Sequence, residues 1–261
     1  MGRKHFINEN YFEKIETEKQ AYILGFIYAD GCVQTFPSTS GLSITQLMQD
    51  ADILYQIKEE LNSTYPLSES IQKENRKQKL TFYAYSRKLC SDLENLGAVQ
   101  RKSLNLKFPF FLKKELIRHF IRGYFDGDGC IWNGKRKRMV VKDKERKKGF
   151  RERIVHNVKF TFTGLDSLLS ELQNVLCENI DIKKSKLNYS KSKDEKNNTT
   201  EHVCTMEYSG RKNIKKLYEY MYKDATIYGE RKFKKFNEII CAFDEKPSNE
   251  TRLIAGNPLE P

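Results

Sequence analysis

Two nine-residue stretches with the same pattern, one in each half of the chain, constrain its fold more than any other feature. The first runs from Ile23 to Gly31 and the second from Ile121 to Gly129, and each closes an apolar run with Asp followed by Gly. Apolar residues recur before each Asp-Gly pair at the spacing of one helix face, which predicts two helices with an apolar stripe. The chain must therefore bury two related helices.

Small residues inside the two stretches add a constraint on how these helices pack. Gly25 and Ala29 stand four positions apart in the first stretch, as do Gly123 and Gly127 in the second. Small residues at this spacing allow two helix backbones to approach closely. We therefore predict that the two helices pack against each other through these four residues.

The last residues of the two stretches place acidic groups where they are electrostatically costly. Gly31 and Gly129 are predicted to adopt the left-handed conformation that commonly ends a helix. Asp30 and Asp128 would then lie at two adjacent helix C-termini, where the helix dipole disfavours negative charge and the carboxylates repel each other. A divalent metal ion relieves both costs, and oxygen ligands with phosphate chemistry indicate Mg²⁺. Taken singly, each stretch is also typical of an ordinary core helix with its C-cap.

Taken together, ILGFIYADG and IRGYFDGDG resemble the motif of the LAGLIDADG homing endonuclease family, whose single-chain members carry it twice. The resemblance covers the chain from about Thr17 to Phe243. It implies that the eighth motif position binds catalytic metal. The sixth position departs between the copies, being Tyr28 in the first and Asp126 in the second. The metal-binding set that we expect is Asp30, Asp128, Gly31 and Gly129.

The resemblance also implies a Gln and a Lys near each scissile phosphate. Gln46 matches the first of these in one half, whereas its partner position in the other half is Gly164. Lys102 and Lys232 match the second, since each follows an Arg in what we interpret as corresponding linkers. A catalytic role and a plain phosphate contact are equally open for both lysines.

The order of helix and strand signals repeats after the second motif, which indicates an internal duplication. We predict an α+β fold of two pseudo-twofold-related αββαββα modules that form a DNA-binding β-saddle, with the motif helices at the domain interface. Thr17 is predicted to cap the first helix, Asp50 or Asp52 the second, and the serines Ser86 and Ser209 are paired between the halves. The predicted divisions are 1–99 and 113–245 for the modules, 100–112 for a linker, and 246–261 for a flexible tail.

The charge balance favours a polyanionic partner. Lys and Arg number 47 against 35 Asp and Glu, which gives a net charge of +12 and an isoelectric point near 9.3. The segment from Lys135 to Arg153 is the most basic, and we interpret it as a DNA-gripping extension, with a solvated loop as the alternative. The DNA-binding residues that we expect are Lys135, Arg136, Lys137, Arg138, Lys159, Arg87 and Arg211.

The resemblance implies a site-specific endonuclease that cuts both strands of DNA with a stagger. We expect two or three Mg²⁺ ions, with Mn²⁺ able to substitute and Ca²⁺ able to bind without cleavage. We expect a monomer on a long, nearly asymmetric double-stranded DNA site. Two alternatives use the same fold: an RNA maturase that binds its host intron RNA, and a DNA-binding regulator that does not cleave.

The cysteines and the N-terminus bear on the compartment. The six cysteines show neither a C-x-x-C pair nor the spacing of a zinc site, so we interpret them as reduced and mostly buried thiols. The N-terminal residues lack the apolar core of a signal peptide. We therefore expect an intracellular protein, in a bacterial or phage-infected cytoplasm or in an organelle.

Overall fold

A computed structural model describes residues 4–36, 39–70, 77–99, 106–143, 148–189 and 202–245. The helices in these ranges are α1 (Glu18–Asp30), α2 (Asp52–Glu60), α3 (Arg87–Asn95), α4 (Lys114–Asp128), α5 (Asp166–Ile180), α6 (Arg211–Tyr222) and α7 (Glu230–Glu245), with a short 3₁₀ turn at Met48–Asp50. The strands are β1 (Gly31–Thr35), β2 (Ser40–Leu47), β3 (Leu67–Glu69), β4 (Lys79–Tyr85), β5 (Gly129–Asp143), β6 (Lys148–Leu165), β7 (Leu187–Tyr189) and β8 (Val203–Ser209).

The strands form two antiparallel sheets with the same topology. The order is β1-β2-β4-β3 in the first sheet and β5-β6-β8-β7 in the second. Apolar residues of alternate strand positions are buried against the helices, which leaves the opposite sheet face polar. The predicted α+β class and the duplication of an αββαββα module are therefore confirmed.

The strand register corrects one detail of the duplication. Leu67 pairs with Phe82 in the first sheet, and Leu187 pairs with Met206 in the second. Counting along β4 and β8 from these pairs, Ser86 corresponds to Gly210, so the predicted pairing of Ser86 with Ser209 was wrong by one residue. Because side chains alternate between sheet faces, a shift of one residue would exchange the buried and polar sets.

Helices α1 and α4 contact each other backbone to backbone at the centre of the molecule. A Cβ atom at Gly25 would lie 2.1 Å from the carbonyl oxygen of Phe120, and one at Gly123 would lie 1.9 Å from that of Tyr22. At Gly127 a Cβ atom would meet the side chain of Ala29. The close packing that the small residues predicted is confirmed.

The glycines that follow the two helices were predicted wrongly. Gly31 has φ −75° and ψ 151°, and Gly129 has φ −88° and ψ 161°, so both are extended rather than left-handed. Each helix therefore runs directly into the first strand of its sheet. Glycine is required for space, because a Cβ atom would lie 2.6 Å from the Ile27 side chain or 2.0 Å from the Phe125 ring.

The predicted helix caps differ in outcome. Thr17 forms the predicted capping box with Gln20 at the start of α1. Neither Asp50 nor Asp52 caps α2, whose N-cap is Ala51 without a side-chain hydrogen bond. Asp52 instead accepts a hydrogen bond of 2.8 Å from the backbone N–H of Glu230 at the start of α7, and Asp50 pairs with Arg231. These two aspartates thus join the first module to the helix that ends the second.

A buried guanidinium stabilises the junction between the modules. Arg122 of α4 is 0% exposed and forms an ion pair of 2.7 Å with Glu18 of α1. Its other nitrogens donate to the carbonyl oxygens of Ile227 and Met221, at 3.0 and 2.7 Å. The charge is therefore compensated and its donors are used, as burial of an ionised group requires.

We predict that Arg122→Met lowers the free energy of unfolding by about 3–5 kcal/mol, because Glu18 keeps its charge without its partner. Urea unfolding followed by circular dichroism measures this change. Arg118→Met, one turn earlier on α4, is the matched control. The Arg118 guanidinium donates to one carbonyl oxygen, that of Lys223, over a longer distance of 3.3 Å. Equal losses in the two variants would contradict a special role for the buried pair.

Two further findings concern the cysteines and membranes. Cys90 and Cys204 are buried, but Cys32, Cys130 and Cys241 are exposed, so the prediction of mostly buried thiols was wrong. All six are free. No helix within the described ranges is long and apolar enough to cross a membrane.

Candidate active site

The two motif aspartates lie at the paired ends of α1 and α4. Asp30 is half-buried and Asp128 is exposed. The Asp30 carboxylate rests against the opposite helix, since its Oδ2 lies 3.3 Å from the position of a Cβ atom at Gly127. Burial raises the pKa of the Tyr124 hydroxyl, and the charges of Asp128 and Asp30 both raise it further. Both carboxylates are therefore near one hydroxyl at the module junction.

The side chain of Gln46 reaches the Asp30 carboxylate from β2. Its Nε2 donates a hydrogen bond of 2.7 Å to Asp30 Oδ2. Gln46 continues the series of helix-facing positions in β2, after the buried Leu42 and Ile44. It lies just past the apolar core, where a polar side chain can point at the end of α1.

The corresponding place in the second module is filled differently. Gly31 pairs with Ile44 and Gly129 pairs with Phe162, so the register places Gly164 opposite Gln46 in the duplication. A Cβ atom at Gly164 would lie 2.2 Å from the Tyr124 hydroxyl oxygen. That hydroxyl donates a hydrogen bond of 2.9 Å to the carbonyl of Thr163. A tyrosine hydroxyl therefore takes the space of a side chain at position 164.

Lys232 caps the C-terminus of α4 from the first turn of α7, and not from a linker as predicted. Its Nζ donates to the carbonyl oxygens of Phe125, Asp126 and Gly127, at 2.9, 2.6 and 2.9 Å. Burial lowers the pKa of Lys232, while the charges of Asp126 and Asp30 oppose that shift. Lys232 and Gln46 line the same small cavity. Lys102 lies outside the described residues.

The sixth motif position has a structural role in both modules. Asp126 is buried and accepts hydrogen bonds from the hydroxyls of Tyr22 and Tyr222 and from the backbone N–H of Gly229, at 2.8, 2.5 and 2.8 Å. Burial raises the pKa of Asp126. In the first module, the Tyr28 hydroxyl donates to the carbonyl of Leu96 at 2.5 Å. Both residues fasten the chain that leaves the third helix of their module.

The donor set at the junction fits Mg²⁺ better than a metal that requires many protein ligands. The described ranges contain no group of three or more His, Cys, Asp or Glu residues that could hold a metal ion. Asp126 is buried and already accepts three hydrogen bonds, so we assign the metal to Asp30 and Asp128, one carboxylate from each module. Mg²⁺ typically takes one or two carboxylates and completes its octahedron with water and substrate oxygens.

The first hairpin of the second module extends far beyond its sheet. Strands β5 and β6 pair from Gly129 and Phe162 out to Asp143 and Lys148, whereas β6 pairs with β8 only over 159–165. We refer to residues 134–143 and 148–158 as the basic ribbon. Lys135 and Lys137 are exposed on it. Arg136 and Arg138 lie in β5, with side chains outside the described part of the chain.

The remaining residues that were predicted to bind DNA differ in their surroundings. Lys159 forms an ion pair of 2.7 Å with Glu207 on the polar face of the second sheet. Arg87 and Arg211 are exposed at equivalent positions, as the first residues of α3 and α6. The Arg211 guanidinium lies 5.3 Å from the centre of the Phe243 ring. Lys159 directly follows the last residue of the basic ribbon in β6 and pairs with Trp132 of β5.

Sequence reasoning missed the groups that hold the junction together. Arg122 and Glu18 belong to different motif helices, and Asp50 and Asp52 contact the start of α7. For Asp126 the sequence offered one indication of a special role, namely that the sixth motif position is Tyr28 in the first copy and Asp126 in the second. Contacts between residues about a hundred or more positions apart leave no local periodicity, so a single sequence does not reveal them.

Comparisons with known proteins identify relatives of this arrangement. Residues 115–241 match the family model of the LAGLIDADG-like domain. The LAGLIDADG meganuclease I-AabMI, in a structure bound to uncleaved DNA, has 15% sequence identity and a TM-score of 0.53, over 86% of this chain and 91% of its own. The I-SmaMI LAGLIDADG homing endonuclease bound to cleaved DNA has 13% sequence identity and a TM-score of 0.53, over 89% of this chain and 91% of its own. The I-LtrWI LAGLIDADG homing endonuclease bound to target DNA has 14% sequence identity and a TM-score of 0.50, over 92% of this chain and 92% of its own. No curated protein matches the sequence.

Proposed function

We propose that this chain, in which residues 115–241 match the LAGLIDADG-like domain and whose fold resembles LAGLIDADG endonucleases, is a homing endonuclease that hydrolyses both strands of double-stranded DNA at a specific site. The observation that carries this proposal is the pair of aspartates at the abutting ends of α1 and α4, one from each module. Their position between two sheets with polar faces suits a duplex that lies across both modules. The related structures that contain DNA support the same partner.

The proposed reaction divides among the residues at the junction. Water attacks phosphorus, the bond from phosphorus to the leaving sugar oxygen breaks, and that oxygen takes up a proton. Asp30 and Asp128 would hold Mg²⁺, which would supply an activated water and stabilisation of the leaving oxygen. Gln46 holds the Asp30 carboxylate in one orientation, and Lys232 compensates the carbonyl dipoles at the end of α4.

The number of metal ions and the geometry of the cut extend the proposal. Two or three Mg²⁺ ions serve the two aspartates, Mn²⁺ substitutes for them, and Ca²⁺ binds without supporting cleavage. One carboxylate serves each strand, so the cuts are staggered. The protein acts as a monomer, because one chain already supplies both modules and both aspartates.

The proposal is tested by incubating the protein with Mg²⁺ and a library of double-stranded DNA that includes the uninterrupted form of the gene around its reading frame. Sequencing should show discrete staggered ends that disappear when EDTA is added. DNA that is bound but never cut would favour a regulator. Tight binding of the host intron RNA, without DNA cleavage, would favour a maturase.

We predict that neutralising the basic ribbon flattens the salt dependence of DNA binding. Lys135→Gln combined with Lys137→Gln should lower the slope of log affinity against log salt by about one to two units, since each lost phosphate contact removes about one. Fluorescence anisotropy in Ca²⁺ at several salt concentrations measures this slope. The control combines Lys113→Gln with Lys114→Gln, two exposed residues at the opposite end of α4 from Asp128. An unchanged slope for the ribbon variant would show that the ribbon does not touch DNA.

A further inference from the structure

Among the described residues, the two halves of the site differ at one pair of equivalent positions in each module. In the first module, Phe26 lies one turn before Asp30 on α1 and lines a small cavity together with Gln46 of β2. Gln46 then donates its 2.7 Å hydrogen bond to Asp30. The side-chain amide keeps its carbonyl oxygen, which can accept a hydrogen bond from a water molecule beside that carboxylate.

In the second module, the equivalent positions are Tyr124 and Gly164, and the tyrosine leaves no space for a side chain at position 164. Tyr124 replaces Phe26, and its hydroxyl lies 2.2 Å from where a Cβ atom at Gly164 would be. The proton of this hydroxyl is already donated to the carbonyl of Thr163. Position 164 therefore contributes no side chain that could orient water in the way that Gln46 can. The space between the motif helix and the second strand is therefore filled by Tyr124 with Gly164 in the second module, and by Phe26 with Gln46 in the first.

We propose that the protein cuts the two DNA strands at unequal rates and passes through a nicked duplex, with the faster cut on the Asp30 and Gln46 side. This inference rests on the proposed endonuclease function. A preorganised hydrogen bond at a reacting group changes a rate by about 10²–10³-fold, and part of this effect is lost when only positioning is involved. We therefore expect the first cut to be at least about tenfold faster than the second.

The experiment uses a supercoiled plasmid that carries the target site, with Mg²⁺ and protein in excess. Nicked circles should accumulate before linear DNA appears, and short duplexes labelled on either strand should show which strand is cut first. Equal rates on the two strands would overturn the inference while leaving the endonuclease function in place. Absence of any cut, with DNA still bound, would overturn the endonuclease function itself.

Two reciprocal variants test whether positions 46 and 164 set the difference. Gln46→Gly should slow the fast strand at least about tenfold and bring the two rates together. Tyr124→Phe combined with Gly164→Gln should speed the slow strand, because removing the hydroxyl opens the space for the new side chain. Both rates are measured on one bound complex, so their ratio does not depend on the fraction of folded protein. A ratio that neither variant changes would contradict the assignment.

A readout without metal or cleavage tests the contact itself. In metal-free protein, the Gln46 side-chain amide signals, identified by their loss in Gln46→Gly, should exchange slowly with solvent because Asp30 accepts their hydrogen bond. Asp30→Ala should speed that exchange by at least about tenfold, as expected when a hydrogen bond worth about 1.5 kcal/mol or more is lost. Unaltered exchange would show that Asp30 does not hold Gln46, and the inference would fail.

Discussion

Asp30→Asn and Asp128→Asn should each reduce double-strand cleavage at least about 10³-fold, because a neutral amide weakens the metal site and several kcal/mol of transition-state stabilisation are lost. Affinity for the DNA site, measured by gel shift in EDTA, should stay within about threefold, since no phosphate-binding cation is removed. The reason is local: Asp30 and Asp128 are the two carboxylates that meet at the ends of α1 and α4.

A matched substitution separates this effect from a general loss of acidic charge. Asp244→Asn removes an exposed carboxylate that pairs with Lys215 in α6, remote in sequence from both motifs, and it should leave the cleavage rate within about twofold of the wild type. Full cleavage by either motif variant would exclude its aspartate from the metal site. Weakened binding in EDTA would point to misfolding or to a direct role in holding DNA.

The second large effect concerns the contact between the motif helices. Gly25→Ala and Gly123→Ala should each lower the free energy of unfolding by about 3 kcal/mol or more, as expected for overpacking against a rigid backbone. The added methyl group would lie 2.1 Å from the Phe120 carbonyl oxygen or 1.9 Å from that of Tyr22. Neither oxygen can move without shifting a whole helix. Urea unfolding and the yield of soluble protein both report the loss.

Gly229→Ala is the control for these helix substitutions. A Cβ atom there would have its closest neighbour at 3.6 Å, in the side chain of Asp126, which is an ordinary contact. Its stability should differ from the wild type by less than about 1 kcal/mol. If Gly25→Ala proved equally mild, the helices would have to sit farther apart than the structure places them.

The sequence was sufficient for the features that rest on local pattern. The helical spacing before each Asp-Gly pair predicted α1 and α4, and the small residues predicted their contact. The repeated order of helix and strand signals predicted the duplicated αββαββα module. These signals occur in both halves of the chain, so each predicted element was supported by its counterpart in the other half.

The sequence was insufficient where a side chain serves a distant part of the chain. Asp52 looked like a cap for its own helix, yet it caps α7. Lys232 looked like a linker residue, yet it lies in α7 and donates to the end of α4. Gly31 was predicted to adopt the left-handed conformation, whereas glycine is needed there because the Ile27 side chain leaves no space for a Cβ atom. Each error came from reading a long-range contact as a local one.

The unequal hairpins give the molecule a direction. Strand β1 has 5 residues and β5 has 15, so at about 3.3 Å per residue they span about 17 Å and about 50 Å. The difference is close to one turn of B-DNA, about 34 Å. A duplex lying along both sheets would carry a longer footprint at the end occupied by the second module. Such a protein contacts more of its target on one side of the cut than on the other, and the base sequence of the target then sets which way round the protein binds.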